Sequence, residues 1–283
     1  MIPTIPTPRA LNVIWTGYVA LFFVYLTVPL IVVAVFAFND SQFPSLPWEG
    51  FTLDWFFGSE RPRIGVFHER QILGAIGTSA LVGACVSILS VAVGTSNAFL
   101  FNRYKFRGRG LLYVLMLLPL VVPGIVLGIS ILVFSSTAAN GLWDMAQIDA
   151  QFLRPGLTLV ILGQFSFITT IATLVISARL QKFDPSLEEA ALNLGANRLT
   201  AVRTITIPFL MPAIVGAGVV AFLMSFENFN TTLMLVGSDA PLTIAMFDRL
   251  KEGSTPLLNA VSLLLMIGSS LLALVMIAFQ RRA

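Results

Sequence analysis

The sequence predicts an all-α membrane protein of six transmembrane helices. Composition, the spacing of apolar runs and the placing of charge carry that prediction. Of the 283 residues, 57% are hydrophobic and 11% charged, and the mean hydropathy is +0.88, whereas a soluble domain must cover itself with polar side chains. The apolar residues gather in runs close to the roughly 20 residues that an α-helix needs to cross about 30 Å of hydrocarbon. Charged residues fall almost wholly between the runs, and a single membrane domain over residues 1–283 accommodates them all.

The first run, 15–38, is longer than the roughly 7–15 residues of a cleavable signal and reads as a retained anchor. In the second, 72–100, the residues Ala80, Gly83, Ser87, Ser90, Gly94 and Asn97 recur every three or four positions. They therefore share one stripe, on which another helix can pack closely. The third run, 111–134, contains Pro119 and Pro123, each of which removes a backbone donor and favours a kink. Gly124 and Gly128 beside them read equally well as a packing pair. The remaining spans are expected at 155–178, 208–236 and 257–279.

An even number of spans places both termini on one side. With the termini in the cytoplasm, the inner loops carry eleven Lys and Arg, including Arg103, Lys105, Arg107 and Arg109, and the outer loops carry six. The positive-inside rule selects this orientation. The isoelectric point near 9.4 follows from that topology, so nucleic-acid binding is not implied. Cys85 is the single cysteine and His68 the single histidine, which leaves no internal disulfide and no metal cluster. His68 falls in a polar loop and is given no function.

The segment 179–207, expected to face the cytoplasm, is too polar to cross the membrane yet carries signals of folded structure. Asp184 suits a helix cap, Pro185 a first helical position, and Glu188 and Glu189 the first turn, where the helix dipole favours acids. Gly195 offers a left-handed stop, and Asn197 can cap a second short helix running to Pro208. Within it, Glu189-Ala190-Ala191, Gly195 and Ile205-Thr206-Ile207-Pro208 resemble the EAA loop of binding-protein-dependent ABC importer permeases. Ile207 and Val202 stand where that family usually has Leu and often has Phe.

The resemblance implies a type I ABC importer permease fold and a surface of Glu189, Ala190, Ala191, Gly195, Ala196, Ile205 and Pro208 that couples to an ATPase. It implies, as partners, two ABC ATPase subunits, a second homologous permease and a periplasmic solute-binding protein, in a bacterial inner membrane. The chain has no G-x-x-x-x-G-K-[ST] phosphate loop. It is thus expected to be no enzyme and to bind no cofactor of its own, with ATP and Mg held by the ATPase subunits.

The segments Ser225-Phe226-Glu227-Asn228-Phe229 and Gly253 to Ala260 are similar to the C-type permeases of spermidine/putrescine transporters. Glu227 is the only acid in an expected span. An ionised group at mid-bilayer costs at least about 2.5–3.5 kcal/mol, so such a residue belongs on a wet cavity or the bundle interior. Ser225, Phe226, Glu227, Asn228, Phe229, Asn230 and Thr231 are the candidate pathway or gate for an amine-bearing solute. Asn228 replaces the second acid of the family segment, and Gly124 stands where polyamine permeases often have an acid. An amino acid or opine-like solute is therefore the alternative cargo, and an ion-coupled carrier using Glu227 the alternative mechanism.

Overall fold

The computed structural model describes residues 9–44, 46–61, 63–253 and 255–282. The side chains of Arg9, Arg281 and Arg282, which enter the charge tally, and Ser254 lie outside the described residues. The described residues form helices α1 (Arg9–Phe36), α2 (Asp54–Phe57), α3 (Arg70–Arg103), α4 (Arg109–Val121), α5 (Gly124–Ala146) and α6 (Leu157–Leu180). These are followed by α7 (Ser186–Asn193), α8 (Arg198–Ala201), α9 (Ile207–Phe226), α10 (Asn230–Leu235), α11 (Leu242–Glu252) and α12 (Pro256–Arg282). Among the described residues six helical stretches are long and apolar enough to cross a membrane: 10–36, 70–103, 124–146, 157–180, 198–226 and 256–278.

The chain packs as two compact units. One holds residues up to Glu69 together with Arg249–Ile267. Its polar segment after α1 is folded and is not a bare loop. The Trp55 indole donates to the Asn39 carbonyl at 2.9 Å, and the Asn39 side chain accepts from Glu49 N–H at 3.1 Å. Phe38 lies between Phe51 and Phe56 at 5.1 and 5.2 Å, and Arg63 pairs with Asp40. His68 is exposed on this unit.

The other unit, Arg70–Asp248 with the residues from Gly268 on, is organised by the mutual packing of α3, α6 and α9. The small-residue stripe of α3 is the contact face. A side chain at Gly83 would meet Phe222 at 3.1 Å, and one at Gly94 would meet Ala172 at 2.9 Å and the Thr173 backbone at 3.0 Å. Ser87 donates to the Gly218 carbonyl at 2.7 Å, and the Ser90 and Thr169 hydroxyls lie 3.3 Å apart. Lipid supplies no hydrophobic drive between helices, so this closeness of approach and these bonds hold them together. Val86, Ile168, Ala221 and Leu235 fill one core cluster, and Ala98, Ile176, Leu210 and Ala217 a second.

Two expected spans are differently built. The run 111–134 is not one kinked helix but two helices. Val122, constrained by the proline after it, is extended at φ −72°, ψ 131°, and Pro123 opens α5. The crossing helix is α5, which carries Asp144 in its last turn, whereas Glu227 falls just past the end of α9. The run 208–236 starts earlier and stops earlier, because α8 continues through a π-helical turn, Val202–Thr206, into α9 and ends at Phe226. Pro208 has no N–H to give to Thr204 and crowds its carbonyl. The ladder shifts register before the proline, and Ile207 N–H bonds to the Val202 carbonyl five residues back.

Gly94→Val places a branched side chain against Ala172 and the Thr173 backbone, and should destabilise the folded chain by about 1–3 kcal/mol. Gly74→Ala on the same helix meets nothing within 4 Å and should leave stability unchanged or slightly raised. Thermal unfolding in detergent distinguishes the two.

Candidate functional site

The segment between α6 and α9 forms a small projecting knob. Asp184 accepts from Ser186 N–H at 3.0 Å, and this bond with that of the Ser186 side chain holds its carboxyl below the ordinary value. Glu188 and Glu189 lie in the first turn of α7. Gly195 takes φ +90°, which a residue without a Cβ adopts without strain. Asn197 then accepts from Thr200 N–H at 2.8 Å, capping the next helix.

The two neighbouring glutamates point to different tasks. Glu188 accepts from both terminal nitrogens of the Arg103 guanidinium, at 2.6 and 3.0 Å, and from the Thr206 hydroxyl. Burial by itself would raise its carboxyl, but these hydrogen bonds and the Arg103 charge outweigh that and hold it below its ordinary value. Arg103 also lies over the Phe183 ring at 5.4 Å, while Phe183 packs edge-on to Phe209 at 5.2 Å. The knob is thereby tied to the ends of α3, α6 and α9. Glu189, Ala190, Gly195 and Pro208 are exposed, Ala191 and Ala196 are half-buried, and Ile205 packs inward on the second core cluster.

Glu189 shares the exposed surface with four leucines the sequence reading did not single out: Leu187, Leu192, Leu194 and Leu199. Leu194 is 90% exposed, and so large an unpartnered apolar side chain in a polar segment marks a contact surface. Its signal was the sequence Leu194-Gly195, an apolar residue at the very end of a helix where nothing follows to cover it. An open cleft of about 550 Å³ beside the knob is lined by Arg103, Tyr104, Glu188, Glu189 and Arg198, among others.

The candidate pathway residues cluster at a second helix interruption. α9 ends at Phe226 and α10 begins at Asn230. A chain of side-chain bonds holds this break. The Ser225 hydroxyl donates to Gln164 Oε1, Gln164 Nε2 donates to Thr232 Oγ1 at 2.8 Å, and the Thr232 hydroxyl donates to Asn228 Oδ1 at 3.0 Å. Asn228 Oδ1 also accepts from Thr232 N–H at 3.2 Å, capping α10, and its backbone carbonyl accepts from Thr243 at 3.0 Å. Gln164, 1% exposed, is the organising residue that sequence reasoning missed. A lone glutamine in the apolar helix 157–180 was the available signal.

Glu227 sits at the end of α9 and is exposed, not embedded in a continuous helix. Phe226 tilts against Phe222 at 5.7 Å, and Phe229 packs on Phe247 at 4.9 Å. Asn230 is exposed, and Thr231 is buried with its hydroxyl on the Gly124 carbonyl at 3.3 Å. Gly124 and Gly128 do form a packing pair, and what they admit is α10: a side chain at Gly124 would meet Asn230 at 3.1 Å, and one at Gly128 would meet Met234 at 3.0 Å.

Residues 90–283 match the family described as binding-protein-dependent transport system inner membrane component. The chain is similar to the putrescine transport system permease protein PotI of Escherichia coli (strain K12), with 27% identity over 94% of this chain and 88% of that protein. It is similar also to the spermidine/putrescine transport system permease protein PotC of Haemophilus influenzae, with 27% identity over 90% of this chain and 91% of that one. A solved bacterial alginate ABC transporter, in complex with an alginate pentasaccharide-bound periplasmic protein, shares the fold. Its TM-score is 0.72 at 18% identity, covering 96% of this chain and 92% of that chain.

The Glu188 carboxyl is held below the ordinary value near 4.5, so the stability it lends the knob is present above that pH and lost as the pH falls through the depressed value. Hydrogen exchange over 186–206, corrected for intrinsic rates, should stay slow down to about pH 5 and accelerate below about pH 4. Arg103→Met should speed exchange there about 10- to 100-fold at neutral pH, as expected for losing a charged hydrogen bond, and should flatten the acid step.

Proposed function

The chain belongs to the family of binding-protein-dependent transport system inner membrane components, and from that premise we propose that it draws its power through the knob and admits an amine-bearing solute at Glu227. As a member it is a multi-pass component of the bacterial inner membrane, a permease subunit of an ABC importer and not an enzyme. The observation that carries the proposal is the division of labour between Glu188 and Glu189. One acid is consumed in tying α7 to Arg103 and Thr206, while the next stands exposed amid leucines.

In this reading Glu189, Ala190, Ala191, Gly195 and Ala196, with Leu187, Leu192 and Leu194, enter a groove on an ATPase subunit. Ile205 and Pro208 pass the motion on to α9. Two ATPase subunits bind ATP and Mg and close on each other. The bidentate Arg103–Glu188 contact makes α7 and the end of α3 move together, so closure tilts the bundle and alternates access to the pathway. A homologous second permease completes the pathway, and a periplasmic solute-binding protein delivers the cargo.

The solute reading rests on the relatives named for putrescine and spermidine and on the exposed carboxylate at the α9–α10 break. Glu227 attracts the amine, Asn228 and Asn230 border it, and Phe226 and Phe229 narrow the passage. Gly124, where the related permeases often carry an acid, lets α10 pack close and leaves Glu227 as the one acid of this cluster. That favours a second cargo reading, in which the solute has one amine, as an amino acid or opine-like compound does.

Glu189→Lys and Gly195→Asp should abolish co-purification of the ATPase while leaving the permease folded; uptake that persists with no ATPase bound would reject the coupling role. Glu227→Gln should slow uptake of labelled putrescine at least several-fold with the complex intact. Unchanged kinetics would remove Glu227 from the pathway, and competition by amino acids but not diamines would select the second cargo.

A further inference from the structure

Between Glu69 and Asp144 the chain contains no acidic residue, yet Arg103, Lys105, Arg107 and Arg109 fall within one short stretch joining α3 to α4. Glu188 neutralises Arg103. The other three have no acidic partner among the described residues. Arg109 borders a cleft of about 440 Å³ at this end of the helices, walled by Phe101 and Tyr113, which pack edge-on at 5.4 Å. Asn102 and Gln181, joined by a 3.2 Å hydrogen bond, form its polar side.

Two groups in this cleft are made for an acceptor that the protein does not supply. The first is the start of α4, a 13-residue helix. Gly108 at its N-cap offers no side chain, and the N–H groups of Gly110 and Leu111 have no partner, so the positive end of the helix dipole is open. The second is Ser177, 7% exposed. The hydroxyls of Thr169 and Thr173, two turns and one turn earlier on α6, bond back to the carbonyls of Phe165 and Thr169 at 2.7 and 2.8 Å. The Ser177 hydroxyl makes no such bond and lines the cleft.

An arginine, open helix N–H groups, a free hydroxyl and no nearby carboxylate together describe a site for a phosphate group. The flank of the cleft says which molecule carries it. α4 buries none of its residues, and Leu111, Val114 and Leu118 are exposed at 66%, 54% and 48%, a surface suited to acyl chains. The concentration of Lys and Arg assigns this end to the cytoplasmic leaflet, where anionic lipids are available. We propose that the cleft between α3, α4 and α6 binds the phosphate headgroup of one anionic phospholipid, with Arg109, the α4 N-terminus and Ser177 as its ligands. The bound lipid screens Lys105 and Arg107 and fills the cleft at the foot of α4.

The test is native mass spectrometry of the purified, delipidated permease complex titrated with phosphatidylglycerol, phosphatidylcholine or inorganic phosphate. One phosphatidylglycerol should bind at least 10-fold more tightly than phosphatidylcholine, and more weakly at high salt. Arg109→Gln should weaken it at least 10-fold and Ser177→Ala several-fold. Neither side chain has a partner to lose, so both variants should melt as the parent does. Equal binding of the two lipids, or unaltered binding by Arg109→Gln, would overturn the proposal. So would displacement of the lipid by millimolar inorganic phosphate, which would make free phosphate the ligand.

Discussion

In hydrocarbon no water is present to accept or donate a hydrogen bond, so a backbone amide or carbonyl released from a helix must find a partner inside the protein. The main irregularities of this bundle are answers to that constraint. Where Pro123 ends α4, the Val122 N–H still closes on the Leu118 carbonyl at 3.2 Å. Where Pro208 removes a donor, the ladder lengthens into a π-helical turn. Where α9 stops at Phe226, the amide at the start of α10 is received by the Asn228 side chain, and Gln164 holds Asn228's partner Thr232 in place. Close packing on Gly83, Gly94, Gly124 and Gly128 brings the donors and acceptors within reach.

The two interruptions of the inner helices are joined. α10 fits against α5 on Gly124 and Gly128, against α6 through Gln164, and back to α9 through Ser225. A displacement of α9 therefore alters the segment that carries Glu227. The other end of the same helix is rooted beside the knob, where Thr206 bonds Glu188, and Glu188 holds Arg103 on α3. The chain thus contains one connected line, from the exposed leucines of the knob through a charged anchor to a polar helix break. That line is what an importer permease needs if its motor is a separate protein.

Much of this was legible in the residues. The alternation of Ala80, Gly83, Ser87, Ser90, Gly94 and Asn97 marked the contact face of α3, because helical spacing alone puts these residues on one side. Asp184, Gly195 and Asn197 marked the knob, because capping is local chemistry. The helix break after Phe226 was not legible: it has no proline, and the stretch through Val236 has the hydropathy of a continuing span. The bonds that hold it run through Gln164, 61 residues from the Ser225 it accepts from. Likewise Glu188 and Glu189 are equivalent in a first-turn argument, and Arg103, 85 residues from Glu188, separates them.

The sequence by itself determined that this is a helical membrane protein, how many helices are long and apolar enough to cross, and where a folded polar loop resembling that of importer permeases lies. Those properties depend on hydropathy, helical period and residues adjacent in the chain. Only the tertiary structure decided where the third and fifth runs stop being helical, which glutamate anchors and which is displayed, and that an uncapped helix start and an unpaired serine face one basic cleft. Each of these depends on which distant groups meet in a medium that leaves no polar atom indifferent to its neighbours.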